Sequence, residues 1–340
     1  MKHVTLAATI SVVAAFPAAA QEQEVYTLRL ADQFPLTHIA SVVTVQPFIE
    51  KLEERSEGRI EIEHYPAQQL AKATGMLEAV RTGVADLAVQ VAGQVSDRLP
   101  LSTVVELPSI SADIEQCYEA FQTLADGPLQ EMEYTPLGVI AVEVQCTPSQ
   151  FLTTRAESVD SVDDLQGMKL RAGGSAVELT LENVGATPVN MGAPDIYVAV
   201  ERGTLDGAIF AAASSLGYNL QDVVGGVGQN ISFGSNSGVM FMNEDKFNEM
   251  PEDLQQLIMD VGREVGRDIA VEYNKGSAAA LAELESAGVN VYDFPEDVVS
   301  AIQAAQEEVA QEWAEQMDGR GLPGSDMLEQ AREAAGLGGS

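Results

Sequence analysis

Two segments of this chain end a helix and begin a strand in the same way. Ala79-Val80-Arg81-Thr82-Gly83-Val84-Ala85-Asp86-Leu87-Ala88-Val89 and Ala199-Val200-Glu201-Arg202-Gly203-Thr204-Leu205-Asp206-Gly207-Ala208-Ile209 lie at a constant offset of 120 residues, Ala79 to Ala199. In both, a glycine follows the helix, where the left-handed backbone suits it best. After two turn residues, an aspartate can tie down the turn before an apolar strand. One such match would be a generic solution. Two, each inside a predicted β-α-β-α-β unit, favour two similar α/β lobes. Lobes of this kind face each other with the carboxyl ends of their strands, which places a ligand between them.

The second unit carries the most functional information. A strand over 168–172 lifts Arg171 to its carboxyl end, and Gly173, Gly174 and Ser175 turn directly into an amphipathic helix. Such a turn gathers free N–H groups at a helix N-terminus, where the dipole favours negative charge. A guanidinium beside those donors suits a carboxylate, because its planar fork can bond both oxygens. A surface salt bridge is the competing reading of Arg171. A helix over 193–202, Gly203 as its stop and a strand over 206–210 complete the unit.

The ends and the composition narrow the class. Lys2 and His3 precede an apolar run over 4–16, and Ala18-Ala19-Ala20 supplies small residues for cleavage. That pattern is a secretory signal peptide, so residues 1–20 are expected to be removed and Gln21 to start the mature chain. No cysteine stands at the boundary to carry a lipid, and no later run is long enough to span a bilayer. With 340 residues, two domains are the default. A formal charge of −34 excludes general affinity for nucleic acid or anionic membrane surfaces. Acid-rich stretches such as 295–318 read as solvated faces. Cys117 and Cys146 fit no metal or redox spacing; they either pair or, the preferred reading, stand as separate buried thiols. Beyond the expected cleavage point only His38 and His64 remain, and there is no HExxH, GxxxxGK[ST] or GxSxG sequence. No catalytic set is visible, and no cofactor or metal is expected.

Taken in order, 25–31 alternates as a strand, and the loop from Asp32 to His38 enters a helix ending near Gly58. Thr37 is placed to cap that helix; His38, at its start, is either a ligand contact or a surface residue. A strand over 59–65, a helix over 71–82 and a strand over 86–91 make a Rossmann-like half with parallel strands. Gln94 lies just past the third strand, again at a carboxyl end. A helix over 114–124 and a buried strand over 137–145 follow. After Phe210 the chain recrosses: the Gly-rich run 225–228 precedes strands over 231–233 and 238–242, with Asn236 between them as a further candidate contact. Pro251, Glu252 and Asp253 open a helix whose apolar spacing continues to about 286, roughly 50 Å at 1.5 Å per residue. It should brace both lobes, with Gly262, Gly266 and Gly276 as points where it can bend. A strand over 289–294 and a helix over 295–317 complete the second lobe. The expected partition is lobe I, 21–147 plus 236–275; lobe II, 148–235 plus 276–335; and a flexible tail, 336–340.

Several motifs together give the chain a resemblance to the solute-binding proteins of tripartite ATP-independent periplasmic (TRAP) transporters, DctP type. They are GRIEIEHYPAQQL with MLEAVRTGVADL, LQGMKLRAGG, GATPVNM, DIYVAVERGTLDGAIF, and EMPEDLQQLI. The resemblance implies a two-lobed periplasmic binding protein fold, with Rossmann-like lobes, hinge strands and a long connecting helix. It also implies closure over a small organic anion, a monomer, delivery to the small and large permease subunits in the membrane, and no catalysis. Arg171 occupies the family's KLR slot, where an arginine pairs with a ligand carboxylate. Sialic-acid-type members place a second arginine where this chain has Ser149-Gln150-Phe151, and an asparagine where it has Phe210 followed by Ala211-Ala212-Ala213. The acidic residue and tryptophan that hold a metal in keto-acid-type members are absent. An aromatic or partly apolar carboxylate is therefore expected, with Phe210 either lining the pocket or simply packing.

Two other readings remain: the receptor of an ATP-driven importer, and a secreted enzyme on the same fold. The long helix argues against the first and the lack of an acid–base set against the second. One consequence of the charge is independent of this choice. Self-repulsion in so acidic a chain is shortened in range by salt. The melting temperature should rise from low-salt buffer to molar sodium chloride, as differential scanning calorimetry would show; a flat or falling profile contradicts this.

Overall fold

Residues 24–110 and 113–337 are described in the computed structural model of the chain. The expected signal peptide and residues 338–340 of the expected tail lie outside the described residues. The two turns of the internal echo share their hydrogen bonds. Gly83 and Gly203 have φ of +69° and +70°. Val84 N–H donates to Ala79 O, and Thr204 N–H to Ala199 O, both at 2.9 Å. Asp86 Oδ2 accepts from Arg29 N–H at 2.8 Å, as Asp206 Oδ2 does from Lys169 N–H at 2.9 Å. Each aspartate thus staples the start of its own strand to a neighbour.

The strands in chain order are β1 (Tyr26–Ala31), β2 (Ile60–Tyr65), β3 (Leu87–Val91), β4 (Val139–Cys146) and β5 (Gln150–Thr154). They continue with β6 (Lys169–Ala172), β7 (Thr187–Asn190), β8 (Gly207–Ala211), β9 (Gly226–Gly228), β10 (Ser237–Asn243) and β11 (Asn290–Tyr292). One sheet has the order β2-β1-β3-β10-β4, the other β11-β9-β5-β8-β6-β7. Around them lie α1 (Gln46–Arg55), α2 (Met76–Arg81), α3 (Ile114–Ala125), α4 (Ser175–Asn183) and α5 (Ala193–Glu201). Then come α6 (Ala212–Gly217), α7 (Glu244–Asn248), α8 (Glu252–Ser286), α9 (Glu296–Gly319) and α10 (Gly324–Ala334).

Each sheet contains the expected parallel trio, β2-β1-β3 and β7-β6-β8, followed by one antiparallel strand. Those antiparallel strands, β10 against β3 and β5 against β8, are where the chain crosses between sheets. The crossings run side by side. Thr147 N–H donates to Asn236 O at 2.8 Å, and Asn236 N–H returns a bond to Thr147 Oγ1 at 2.9 Å. Gln150 N–H donates to Gly234 O at 3.0 Å, and Phe233 N–H to Gln150 O at 2.8 Å. The fold is a two-lobed α/β clamp with a paired-strand hinge.

Helix α8 runs for 35 residues without interruption. Leu254, Ile258, Val261, Val265 and Ile269 enter the core of the first sheet, while Ala280 and Leu284 pack with Phe151 and Val227 of the second. Gly262 and Gly266 are not bends. A Cβ at 262 would lie 1.6 Å from Val142 O, and one at 266 would lie 2.6 Å from Val144 O, so these glycines let α8 settle onto the backbone of β4.

Other expectations change. Residues 231–233 form no strand; the strand is Gly226–Gly228, inside the Gly-rich run expected to precede it. Glycine is required there by close approach, since a Cβ on Gly226 would meet Glu157 O at 2.2 Å and one on Gly228 the Phe294 ring at 2.1 Å. Thr37 makes no capping bond among the described residues; in the first helical turn Ala40 N–H donates to His38 Nδ1 at 3.2 Å. The expected helix over 295–317 forms as α9, but its C-terminal part, together with α10, for which no helix was expected, packs on the first core through Val309, Ala314, Met327 and Leu328. By packing, then, the second lobe's share of this region reaches only to about Ala305.

Cys117 and Cys146 form a disulfide with Cα atoms 6.2 Å apart, correcting the preferred reading of two thiols. It joins α3 to the last residue of β4, just before the hinge. Closing a sequence separation of 29 residues is worth about 3–4 kcal/mol in the chain-entropy account. The double variant Cys117→Ala, Cys146→Ala should therefore melt about 5 °C lower in calorimetry, with the fold retained by circular dichroism.

Glu143 lies on β4 beside the register shift opposite Met240 and Phe241 and is 1 % exposed. Neither carboxyl oxygen has a hydrogen-bond partner among the described residues. Burial pushes its pKa from the ordinary 4.5 up to about 8. Between those two values the folded chain holds a proton that the unfolded chain has released, so stability falls as pH rises through that window. Glu143→Gln should flatten that slope and raise the melting temperature at pH 8 while changing little at pH 4; equal shifts at both pH values would contradict the assignment.

Candidate functional site

The carboxyl ends of β1 and β6 face a cavity of about 640 Å³ between the two sheets. That volume lies in the range that holds a small organic ligand. The second lobe contributes Arg171 from β6, Gly173 after it, Phe210 at the end of β8, and Ser214 from α6. The first contributes Phe34, His38, Ile39 and Val43 from the loop after β1 and the turns that follow. Those turns include a π-helical segment, Ser41–Val45, a widened winding that recurs at functional sites. Gln150 and Asn236 come from the hinge, and Tyr273 from α8 where it passes the cleft.

Arg171 is half-buried, and among the described residues no carboxylate lies within 4.0 Å of it. Its hydrogen bonds are long, Nε to Met191 O at 3.3 Å and a terminal nitrogen to Ile209 O at 3.4 Å. The guanidinium sits over the Phe210 ring, 5.3 Å from its centroid, a cation–π placement that holds it without neutralising it. Burial lowers its pKa, the Tyr218 phenol acting in the opposite sense. Gly173 makes room: a Cβ there would lie 2.8 Å from the guanidinium. A desolvated cation with no counter-charge is the arrangement an anion completes.

His38 stacks on Phe34, with ring centroids 4.3 Å apart and planes 10° from parallel. Desolvation lowers its pKa below the ordinary imidazole value, against the pull of Asp32. Its Nδ1 accepts a backbone N–H, which requires that nitrogen to be unprotonated. His38 is thus a neutral wall of the cleft and not a second cation.

Of the eight residues expected at the site, Arg171, Gly173, Phe210, His38 and Asn236 line the cavity; Gln94, Gly174 and Ser175 do not. The turn after β3 carries Gln94 elsewhere: its Oε1 lies 3.5 Å from Gln90 Nε2. That turn is held by the Glu106 carboxylate, which accepts from Gly93 N–H and from Ser237 N–H and Oγ–H at 3.0 and 2.9 Å. Phe34, Gln150, Ser214 and Tyr273 were missed. Phe34 shares the strand-end loop with His38, which was the available signal; Tyr273 keeps the spacing of a core position.

Two other cavities are less suited to an anion. One of about 570 Å³ has Asp113 and Glu307 as its charged lining, and one of about 250 Å³ has Asp268 and Glu272. Among the described residues, no group of three or more His, Cys, Asp or Glu is placed to hold a metal.

Residues 38–316 match the DctP family, described as bacterial extracellular solute-binding protein, family 7. A solute-binding protein of Albidiferax ferrireducens is 23% identical over 257 residues, 75% of each chain. A TRAP periplasmic solute-binding protein from Desulfovibrio salexigens superposes with a TM-score of 0.83 at 22% identity, over 91% of this chain and 95% of the other. A marine metagenome TRAP solute-binding protein specific for aromatic acid ligands, in complex with metahydroxyphenylacetate, gives 0.77 at 24% identity, over 92% and 98%. With the family matched over most of its length, this chain belongs to the DctP-type solute-binding proteins of TRAP transporters, a family of receptors rather than enzymes.

Proposed function

We propose that the protein is a periplasmic receptor that captures a small organic acid between its lobes, with the ligand carboxylate on Arg171, and delivers it to the small and large subunits of a TRAP permease. The observation that carries this reading is the half-buried guanidinium with no carboxylate partner, facing a cavity of about 640 Å³. The expected signal peptide supports the compartment. Lobe I is taken as 21–147 plus 236–275, with the end of the chain from about 306 strapping back across it, and lobe II as 148–235 plus 276 to about 305, the hinge strands letting them close. Asn236, Gln150 and Ser214 supply neutral hydrogen-bonding groups around the carboxylate, and Phe210 and the alanines after it supply an apolar wall. A relative of the same fold binds an aromatic acid, which fits a cleft poor in charge.

Mass spectrometry of compounds released from gently purified protein identifies the ligand, and calorimetry on variants then tests the anchor. Truncating one partner of a desolvated guanidinium–carboxylate pair costs about 3–5 kcal/mol. Arg171→Ala should weaken binding by roughly two to four decades with the fold retained. Arg171→Lys should recover only part, since an ammonium cannot make the planar two-point contact. Binding by Arg171→Ala within about fivefold of wild type would place the anchor elsewhere.

A further inference from the structure

Resting on Arg171 as the carboxylate anchor, we infer that the cleft selects aromatic monocarboxylates. The ring is received by the Phe34–His38 pair of the first lobe, and Glu272 disfavours a second carboxylate.

The charge pattern of the cavity is the first argument. Its lining carries one cation, Arg171, and one anion, Glu272, since His38 is neutral. Glu272 is solvent-exposed and shares its charge with Lys275 at 2.9 Å, outside the lining. A ligand with one carboxylate is matched at Arg171. A second carboxylate would face an apolar wall, where desolvation opposes it, or Glu272, where like charge does.

The second argument concerns which ring surface is free. The face of Phe210 is covered by the protein's own guanidinium, and Tyr218 packs against the same ring at 5.8 Å. With that face taken and Tyr273 of α8, the other aromatic of the lining, largely buried, ring recognition is assigned to the opposite lobe, where Phe34 and His38 line the cavity as a stacked pair. That pair is held in advance of any ligand. Phe34 N–H donates to Asp32 Oδ1 at 2.8 Å, while Phe34 O and Asp32 O accept from Ala67 and Gln68 N–H at 2.9 and 3.0 Å. Ala67 and Gln68 have φ of +53° and +63°, unfavourable for residues with a side chain, so the surrounding structure sustains strain to keep this loop in place. A surface ordered before binding loses little entropy on receiving a ring. Because carboxylate and ring are gripped by different lobes, an aromatic acid bridges them, and recognition is coupled to closure.

The test uses phenylacetate, cyclohexylacetate and benzene-1,4-diacetate as matched probes, measured by calorimetry on the full mature chain. Phenylacetate should bind about three- to tenfold tighter than cyclohexylacetate, the difference an aromatic contact supplies, and tighter still than the diacid. Phe34→Leu should erase the preference for phenylacetate over cyclohexylacetate, and Phe34→Tyr should retain it. Glu272→Gln should improve the diacid relative to phenylacetate roughly three- to tenfold. Equal binding of the aromatic and saturated acids, or of the diacid and monoacid, overturns the inference. If that binding is nonetheless lost in Arg171→Ala, the carboxylate-receptor reading stands without it. If none of the three probes binds at millimolar concentration the inference also fails, and the compound released from purified protein decides the broader reading: a non-aromatic carboxylate keeps it, a ligand without an acid removes it.

Discussion

The reciprocal pair of hydrogen bonds between Thr147 and Asn236, one to a backbone carbonyl and one to a side-chain hydroxyl, is the contact on which the two-lobed arrangement turns. Thr147 N–H reaches Asn236 O, and Asn236 N–H reaches the Thr147 hydroxyl, at the point where two chain segments pass in opposite directions. Each segment is a full sheet member on both sides, β4 and β5 on one crossing, β9 and β10 on the other. The crossings therefore have no slack in their backbone bonds, and lobe motion must be taken up in the few residues between strands. Helix α8 runs beside them as a third connection, anchored at one end by the glycine contacts with β4 and at the other by Leu284. Asn236 and Gln150 belong to this crossing and also line the cavity, so the cavity abuts the hinge itself.

Much of this was readable in local chemistry. The turns at Gly83 and Gly203, with Asp86 and Asp206 behind them, use side chains and backbone angles that are fixed within a few residues, and the sequence shows them directly. The length of α8 was readable from its period and its acidic first turn. What escaped was set by tertiary approach. Gly226 and Gly228 have little strand propensity, and they are glycines because Glu157 O and the Phe294 ring come so close. Gly262 and Gly266 look like weak points until β4 is laid against them. The pairing of Cys117 with Cys146 depends on where α3 meets the end of β4. At the site, Arg171 was legible because a strand end and a following glycine turn mark it. Tyr273 was not, because its spacing matches that of the core face of the same helix.

An acidic chain proposed to capture an organic anion poses a problem of range. The formal charge is −34, yet the charges that set binding are those within the cleft. At physiological ionic strength the Debye length is about 8 Å, so carboxylates on the outer helices act weakly on a ligand already between the lobes. Within that distance the apolar walls raise the value of a single guanidinium, because neither water nor counter-ion screens it fully. The same lack of screening disfavours a second charge in contact with Arg171: another cation would repel it and an adjoining carboxylate would neutralise it, whereas Glu272, the other charged residue of the lining, is exposed and paired with Lys275. The neutral state of His38 and the cation–π seat on Phe210 follow from that constraint. The surface charge then governs encounter, the cleft governs retention, and the two can differ in sign without conflict.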